Sequence, residues 1–172
     1  MRKRQKTVWI TGASSGIGLA FAQAYAKKGY RLILTARRRG RLEKIAANLG
    51  VSCRIETADL SKDEECYRVC NLLKEETIDI FINNAGFGTC GEFAETDMTK
   101  EIDMIHVNVE AMHILCKEVL RHMRAKGQGT ILNVASSAGL LPGGPYMATY
   151  YATKAYVVSL TKSIAQEQWE KK

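Results

Sequence analysis

The sequence predicts an α/β fold, a parallel sheet doubly wound in three layers, and three observations predict it. Short apolar runs rich in β-branched residues, of the kind buried inside a parallel sheet, alternate with segments of helical periodicity along the whole chain. A glycine-rich turn, Thr11-Gly12-Ala13-Ser14-Ser15-Gly16-Ile17-Gly18, joins the first such run to the first helical segment. No linker, repeat or low-complexity stretch interrupts the alternation, so residues 1–172 are expected to form one domain with right-handed crossovers and a site at the carboxyl ends of the strands.

Each element has its own signal. Thr7-Val8-Trp9-Ile10 reads as the first strand. Ile17, Phe21, Ala24 and Tyr25 recur at helical spacing behind it, with Lys27 and Lys28 in the last turn and Gly29 as the C-cap. Arg31-Leu32-Ile33-Leu34-Thr35 is the second strand. Leu42, Ile45, Ala46 and Leu49 mark a helix closed by Gly50, and Val51 to Thr57 is the third strand. Ser61 with Glu64 predicts a capping box for a helix carrying Cys66, Val69, Leu72 and Leu73. Ile78 to Ile82 is a fourth strand, too apolar for an exposed edge. A long helix is expected from about Met98 to Met123, a fifth strand from Thr130 to Ala135, and a last helix from about Ala148.

Composition narrows the function classes. The chain is 46% apolar and 25% charged with two prolines, which fits an ordered core and excludes disorder. The net charge of +7 is scattered over Arg2 to Lys6, Arg37 to Arg41, Arg121 to Lys126 and the end, so it reads as solvated surface around one anion site, with no nucleic acid as partner. Cys53, Cys66, Cys70, Cys90 and Cys116 are odd in number and lack zinc spacing, as expected of free thiols in a reducing, cytoplasmic setting with no metal. His106, His113 and His122 lie on the long helix without acidic partners at metal spacing and read as surface or packing residues. Met1 to Lys6 is basic, but no apolar segment follows that could serve as a signal peptide or membrane span.

The glycine turn lets the backbone approach a ligand, and the helix behind it offers unpaired N–H groups to a pyrophosphate. Specificity for a nucleotide is read just after the second strand, where a carboxylate binds a ribose 2′-hydroxyl and an arginine accepts a 2′-phosphate. The residues there are Ala36-Arg37-Arg38-Arg39, with no carboxylate. Arg37, first past the strand, is the candidate for the 2′-phosphate, with Arg38 and Ser14 as helpers. Further on, Tyr150 and Lys154 are four apart, so they share one face of the last helix and can converge on one ligand. A phenol becomes a useful acid or base near neutrality when a neighbouring ammonium stabilises its phenolate.

Together these residues resemble the short-chain dehydrogenase/reductase family over most of the chain. The Gly12 to Gly16 to Gly18 spacing is similar to that family's glycine motif, and four further motifs follow in order: Asp59-Leu60, Asn83-Asn84-Ala85-Gly86, Asn108, and Ser136 with Tyr150 and Lys154. The resemblance implies a Rossmann-like NADP(H)-dependent oxidoreductase that interconverts a small-molecule carbonyl and alcohol. Gly12, Ser14, Ser15, Gly16, Ile17, Gly18, Arg37, Asp59, Leu60, Asn83, Ala85, Gly86, Tyr150 and Lys154 would bind the cofactor. Asn108, Ser136, Tyr150 and Lys154 would form the catalytic tetrad: the tyrosine as acid/base, the lysine on the nicotinamide ribose, the serine on the substrate oxygen and the asparagine anchoring a proton-carrying water. Ser137 competes with Ser136; the pattern serine, any residue, alanine, glycine favours Ser136. Tyr151, without a lysine four residues on, reads as packing or pocket wall.

Family members continue past the last helix through further strands and a loop over the substrate, so the C-terminal strands are expected to be missing from a truncated chain. On that basis the fifth strand would be an exposed apolar edge, substrate would bind poorly, and the chain would dimerise through its long helices. The alternative function is a catalytically impaired nucleotide-binding or regulatory relative.

Overall fold

The computed structural model describes residues 4–169; Arg2 and Lys3 of the basic start, and residues 170–172, lie outside them. Five strands form one sheet: β1 (Thr7–Thr11), β2 (Arg31–Ala36), β3 (Cys53–Thr57), β4 (Ile80–Asn83) and β5 (Thr130–Asn133). Their order is β3-β2-β1-β4-β5 and every pairing is parallel. The chain winds outward from β1 to β3, then returns to the other side of β1 for β4 and β5. That reversal opens a crevice between β1 and β4, where an α/β sheet of this kind takes its ligand.

The strands are apolar on both faces because helices cover both. On one face Val8, Ile10, Leu32, Leu34 and Ile82 pack against Ala22 and Ala26 of α1 (Gly16–Lys27) and Leu42 of α2 (Arg39–Ala47). On the other, Trp9, Ile33 and Phe81 pack against Cys66 and Val69 of α3 (Asp63–Cys70) and against Leu115 and Val119 of α5 (Met112–Lys126). Alternate side chains of one strand thus serve two cores. Val157 of α6 (Ala148–Trp169) joins Met112 and Cys116 of α5 in a third, smaller cluster. Among the described residues no helix is long and apolar enough to cross a membrane.

Several expectations shift. The capping box on α3 does not form: Lys62 is the N-cap and makes no side-chain cap bond, while the Ser61 hydroxyl donates to Asp59 Oδ1 at 2.9 Å. A carboxylate two residues upstream captures the serine, and Asp63, Glu64 and Glu65 in the first turn complement the helix dipole instead. The β3 strand begins at Cys53 because Gly50, at φ +65°, still belongs to the turn after α2. The β4 strand begins at Ile80; Ile78 is buried in the core before it, and the Asp79 carboxylate accepts from the Thr7 N–H at 2.7 Å. The long helix from Met98 is not regular: α4 (Met98–Ile105) passes into a π-turn, His106–Ala111, before α5. On β5, at the sheet edge, Leu132 is exposed.

Candidate active site

A cleft of about 610 Å³ lies across the carboxyl ends of the strands. Its floor is the glycine turn, and its three glycines do different things. A Cβ on Gly18 would stand 2.3 Å from the Gly12 carbonyl oxygen, so this glycine lets α1 press onto the end of β1. Gly12, at φ +65°, lies where a Cβ would meet Asn84 Nδ2 at 2.7 Å, fitting it under the β4 loop. Gly16, at φ +52°, has nothing within 4 Å of such a Cβ and opens on the cleft. Ser15 caps α1 without a side-chain bond and no acidic residue occupies the first turn, so the first amides of α1 stay free for an anion.

At the end of β2, Arg37 and Arg38 line the cleft, exposed and without a side-chain partner among the described residues. Arg39 is spent on Glu43 at 2.8 Å, one turn along α2. Past β3, Ala58 to Ser61 form the adjoining wall, with Asp59 held by the Ser61 hydroxyl and amide.

The β4 end is fixed by Thr11, fully buried, whose hydroxyl accepts the Asn84 and Ala85 amides at 2.9 and 3.0 Å. The Asn84 side chain donates back to the Thr11 carbonyl at 3.0 Å. Beyond it, Asn108 in the π-turn brackets Phe87, accepting its N–H at 3.0 Å and donating to its C=O at 2.8 Å. The same amide donates to Thr153 Oγ1 on α6 at 3.1 Å, and Asn108 is 1% exposed. A π-turn rotates one side chain out of the regular helical ladder, which is how a buried asparagine can face a neighbouring loop here.

Tyr150 and Lys154 line the cleft from α6. Lys154 Nζ lies 5.8 Å from the Tyr150 ring centroid and donates to the Val134 carbonyl at 3.1 Å. Burial pushes its ammonium below the ordinary lysine range. Gly86 sits between Asn108 and Lys154: a Cβ there would be 2.9 Å from Asn108 Oδ1 and 3.4 Å from Lys154 Nζ. The Ser137–Leu140 3₁₀ turn docks onto α6 through Gly139, where a Cβ would stand 2.4 Å from the Lys154 carbonyl oxygen. Ser136 caps that turn, its Oγ accepting the Ala138 amide at 3.2 Å; it is half-buried and Ser137 is exposed. Tyr151 is not on the cleft lining and lies against Gly144, a Gly144 Cβ falling 2.7 Å from its hydroxyl.

Of the expected residues, the turn from Gly12 to Ile17 without Gly18, together with Arg37, Asp59, Leu60, Ala85, Gly86, Tyr150 and Lys154, meets at one cleft. Gly18, Asn83, Asn108 and Ser136 are not on its lining. Asn83 is 3% exposed and points away, donating to the Met112 carbonyl and to Asn133 Oδ1. Asn84, of the expected Asn83 to Gly86 segment, lines the cleft in place of Asn83, and Phe87, Ser61, Asp103 and Val107 line it unforeseen. Spacing could have found Asp103 and Val107, which are four apart and share a helical face, Val107 directly preceding Asn108 in the π-turn. His113 meets the Tyr156 hydroxyl at 2.7 Å, and His106 does have an acidic neighbour, Glu110 at 3.7 Å. Among the described residues no three His, Cys, Asp or Glu side chains are grouped to hold a metal ion.

Known proteins share this fold. The family described as short chain dehydrogenase matches residues 6–172. The hydroxysteroid dehydrogenase-like protein 1 of Gallus gallus is 34% identical over 166 residues, covering 92% of this chain and 50% of its own length. The 3-oxoacyl-acyl-carrier-protein reductase FabG of Rickettsia prowazekii (strain Madrid E) is 35% identical over 163 residues, covering 94% and 66%. A solved short-chain dehydrogenase from Sphingobium yanoikuyae, in complex with NADPH, superimposes with a TM-score of 0.89 at 36% identity, covering 94% of this chain and 65% of that one. The chain thus spans half to about two thirds of the length of these relatives.

Proposed function

The chain belongs to the short-chain dehydrogenase family, and on that premise we propose that it is an NADP(H)-dependent oxidoreductase in which Tyr150 moves the proton between a carbonyl and an alcohol. One observation carries the reading: Tyr150 and Lys154, on one face of α6, line the same cleft as the open α1 N-terminus and the unpartnered Arg37.

The residues fit the cofactor. Gly16 leaves room where a diphosphate must approach backbone, and the α1 amides supply its anion site. Arg37, with Arg38 beside it, would hold a 2′-phosphate with its guanidinium fork, and the Ala58 to Ser61 wall would hold the adenine. Bound there, NADPH supplies the hydride. Tyr150 donates its hydroxyl proton to the substrate oxygen, or accepts one in the reverse direction. Lys154, whose ammonium donates to the Val134 carbonyl, would supply positive charge beside that phenol and would hold the nicotinamide ribose. Asn108 holds Phe87, and with it the Gly86 backbone between itself and Lys154. Ser136, at the cap of the turn docked on α6, would hold the substrate oxygen, as its place in the family pattern implies.

A thermal-shift titration tests the cofactor. Stabilisation by NADPH well above that by NADH is expected, and no response to either rejects the assignment. Tyr150→Phe is expected to abolish NADPH oxidation with a panel of ketones and aldehydes while leaving the thermal response in place. Nucleotide binding without turnover, the alternative, is disfavoured by an acid/base pair already set on the cleft; stabilisation of the unsubstituted chain with no turnover of any carbonyl would restore it. The exposed Ile102 and Ile105 of α4 and Tyr156 of α6 also suit pairing of two chains through these helices, which sedimentation velocity reads directly.

A further inference from the structure

Glu101, on α4, is 9% exposed and forms no ion pair among the described residues. Among the described residues its Oε1 accepts one hydrogen bond, from the Thr89 hydroxyl at 3.0 Å, and its Oε2 is buried with no hydrogen-bond partner. A carboxylate held this way opposes folding, since a buried charged oxygen without a donor loses its water and gains nothing. Its place in the first turn of α4 suits a carboxylate to the helix dipole, but one oxygen stays buried without a donor among the described residues, and its one bond points to the loop after β4.

That loop has a second anchor on the same helical rod. Seven residues on, two turns along, Asn108 grips both the N–H and the C=O of Phe87. Between the two anchored residues lies Gly88, and a Cβ on it would stand 2.9 Å from Tyr150 Cδ2 and 3.2 Å from Cε2. The backbone of Gly88 thus bears on the Tyr150 ring, and the two anchors decide how firmly it does so. We propose that Glu101 is a positioning residue for Tyr150: through Thr89 it completes a two-point clamp that seats Gly88 against the ring and so aims the phenol. The proposal rests on the reading of Tyr150 as the acid/base. It assigns Glu101 a role opposite in sign to its effect on stability, because the carboxylate that orients the loop is the one that burial penalises.

The test is a spectroscopic one on the full chain carrying ¹³Cζ-tyrosine, with the Tyr150 signal identified by its loss in Tyr150→Phe. In Thr89→Val and Glu101→Leu the Tyr150 signal is expected to shift or broaden, while the other six tyrosines keep theirs. Thr89→Ser, which keeps the hydroxyl, is expected to return the signal to its original position. The melting temperature of Glu101→Leu is expected to equal or exceed that of the unsubstituted chain, and turnover of Thr89→Val to fall about ten-fold with its NADPH response unchanged, as misaimed catalytic groups cost. An unmoved Tyr150 signal in both variants overturns the proposal, as does failure of Thr89→Ser to restore it. A general displacement of tyrosine signals, or an unfolded Glu101→Leu, overturns it too, because the carboxylate would then be structural. NADPH titration of the unsubstituted chain separates the two readings: no stabilisation there removes the cofactor assignment while the tyrosine comparison still decides the clamp.

Discussion

Single residues near the cleft act through a few atoms, and their substitutions should divide by which atoms those are. Gly18→Ala would drive a Cβ into the Gly12 carbonyl and is expected to cost about 3 kcal/mol of stability in urea unfolding, the upper part of the range for overpacking. Gly16→Ala has free space and suffers from its positive φ, about 1 kcal/mol, while obstructing the approach of a phosphate. Its main loss should therefore be the NADPH thermal shift. Arg37→Ala should lower affinity for NADPH about 10- to 100-fold, the worth of a charge-assisted hydrogen bond, and leave NADH binding unchanged. Lys154 gives a pH signature. Because burial depresses its pKa, the folded chain releases this proton before the unfolded chain does, so stability rises with pH from the depressed value toward the ordinary one near ~10.4. Below that window the penalty is constant. Melting temperature measured against pH should show the rise, and Lys154→Met should flatten it.

Elements were legible where their signals were local. The strand cores, the helix after the glycine turn with Gly29 at φ +75°, and the last helix from Ala148 all follow from periodicity and caps. The π-turn was not, because no residue pattern within His106–Ala111 announces it; it exists so that Asn108 can reach Phe87 and Thr153. Asn108→Ala would leave the Phe87 amide and carbonyl without their partners and is expected to cost about 2 kcal/mol in chemical unfolding, mostly by loosening the loop after β4. Ser61 shows the converse failure: its sequence context fits a capping box, but Asp59 was nearer. At the opposite end of the sheet, Arg31 on β2 and Arg54 on β3 share Glu76, and the Arg31 guanidinium holds that carboxyl below the usual carboxylate range. This contribution is present above the unfolded carboxylate pKa and is lost as pH falls through the lower folded value. Glu76→Gln should accordingly shrink the acid-side fall in melting temperature.

For the molecule as a whole, the strand order places every cleft residue at one end of the sheet and the Arg31, Arg54 and Glu76 cluster at the other. Hydrogen exchange with and without NADPH should therefore show protection at residues 12–19, 36–38 and 84–89, with residues 31 and 76 unchanged. The sequence by itself determined the α/β class, the glycine turn between strand and helix, the arginine after β2, and the tyrosine with its lysine one turn on, since each depends on spacing within one element. Only the tertiary structure decided which asparagine after β4 lines the cleft and which ties strands together. It also decided that Asn108 brackets Phe87 and that Glu101 meets Thr89 on the loop whose Gly88 bears on Tyr150. Those relations join residues from separate elements, and the side-chain bonds that define them come into being only when the sheet order and the helix crossings bring those elements together.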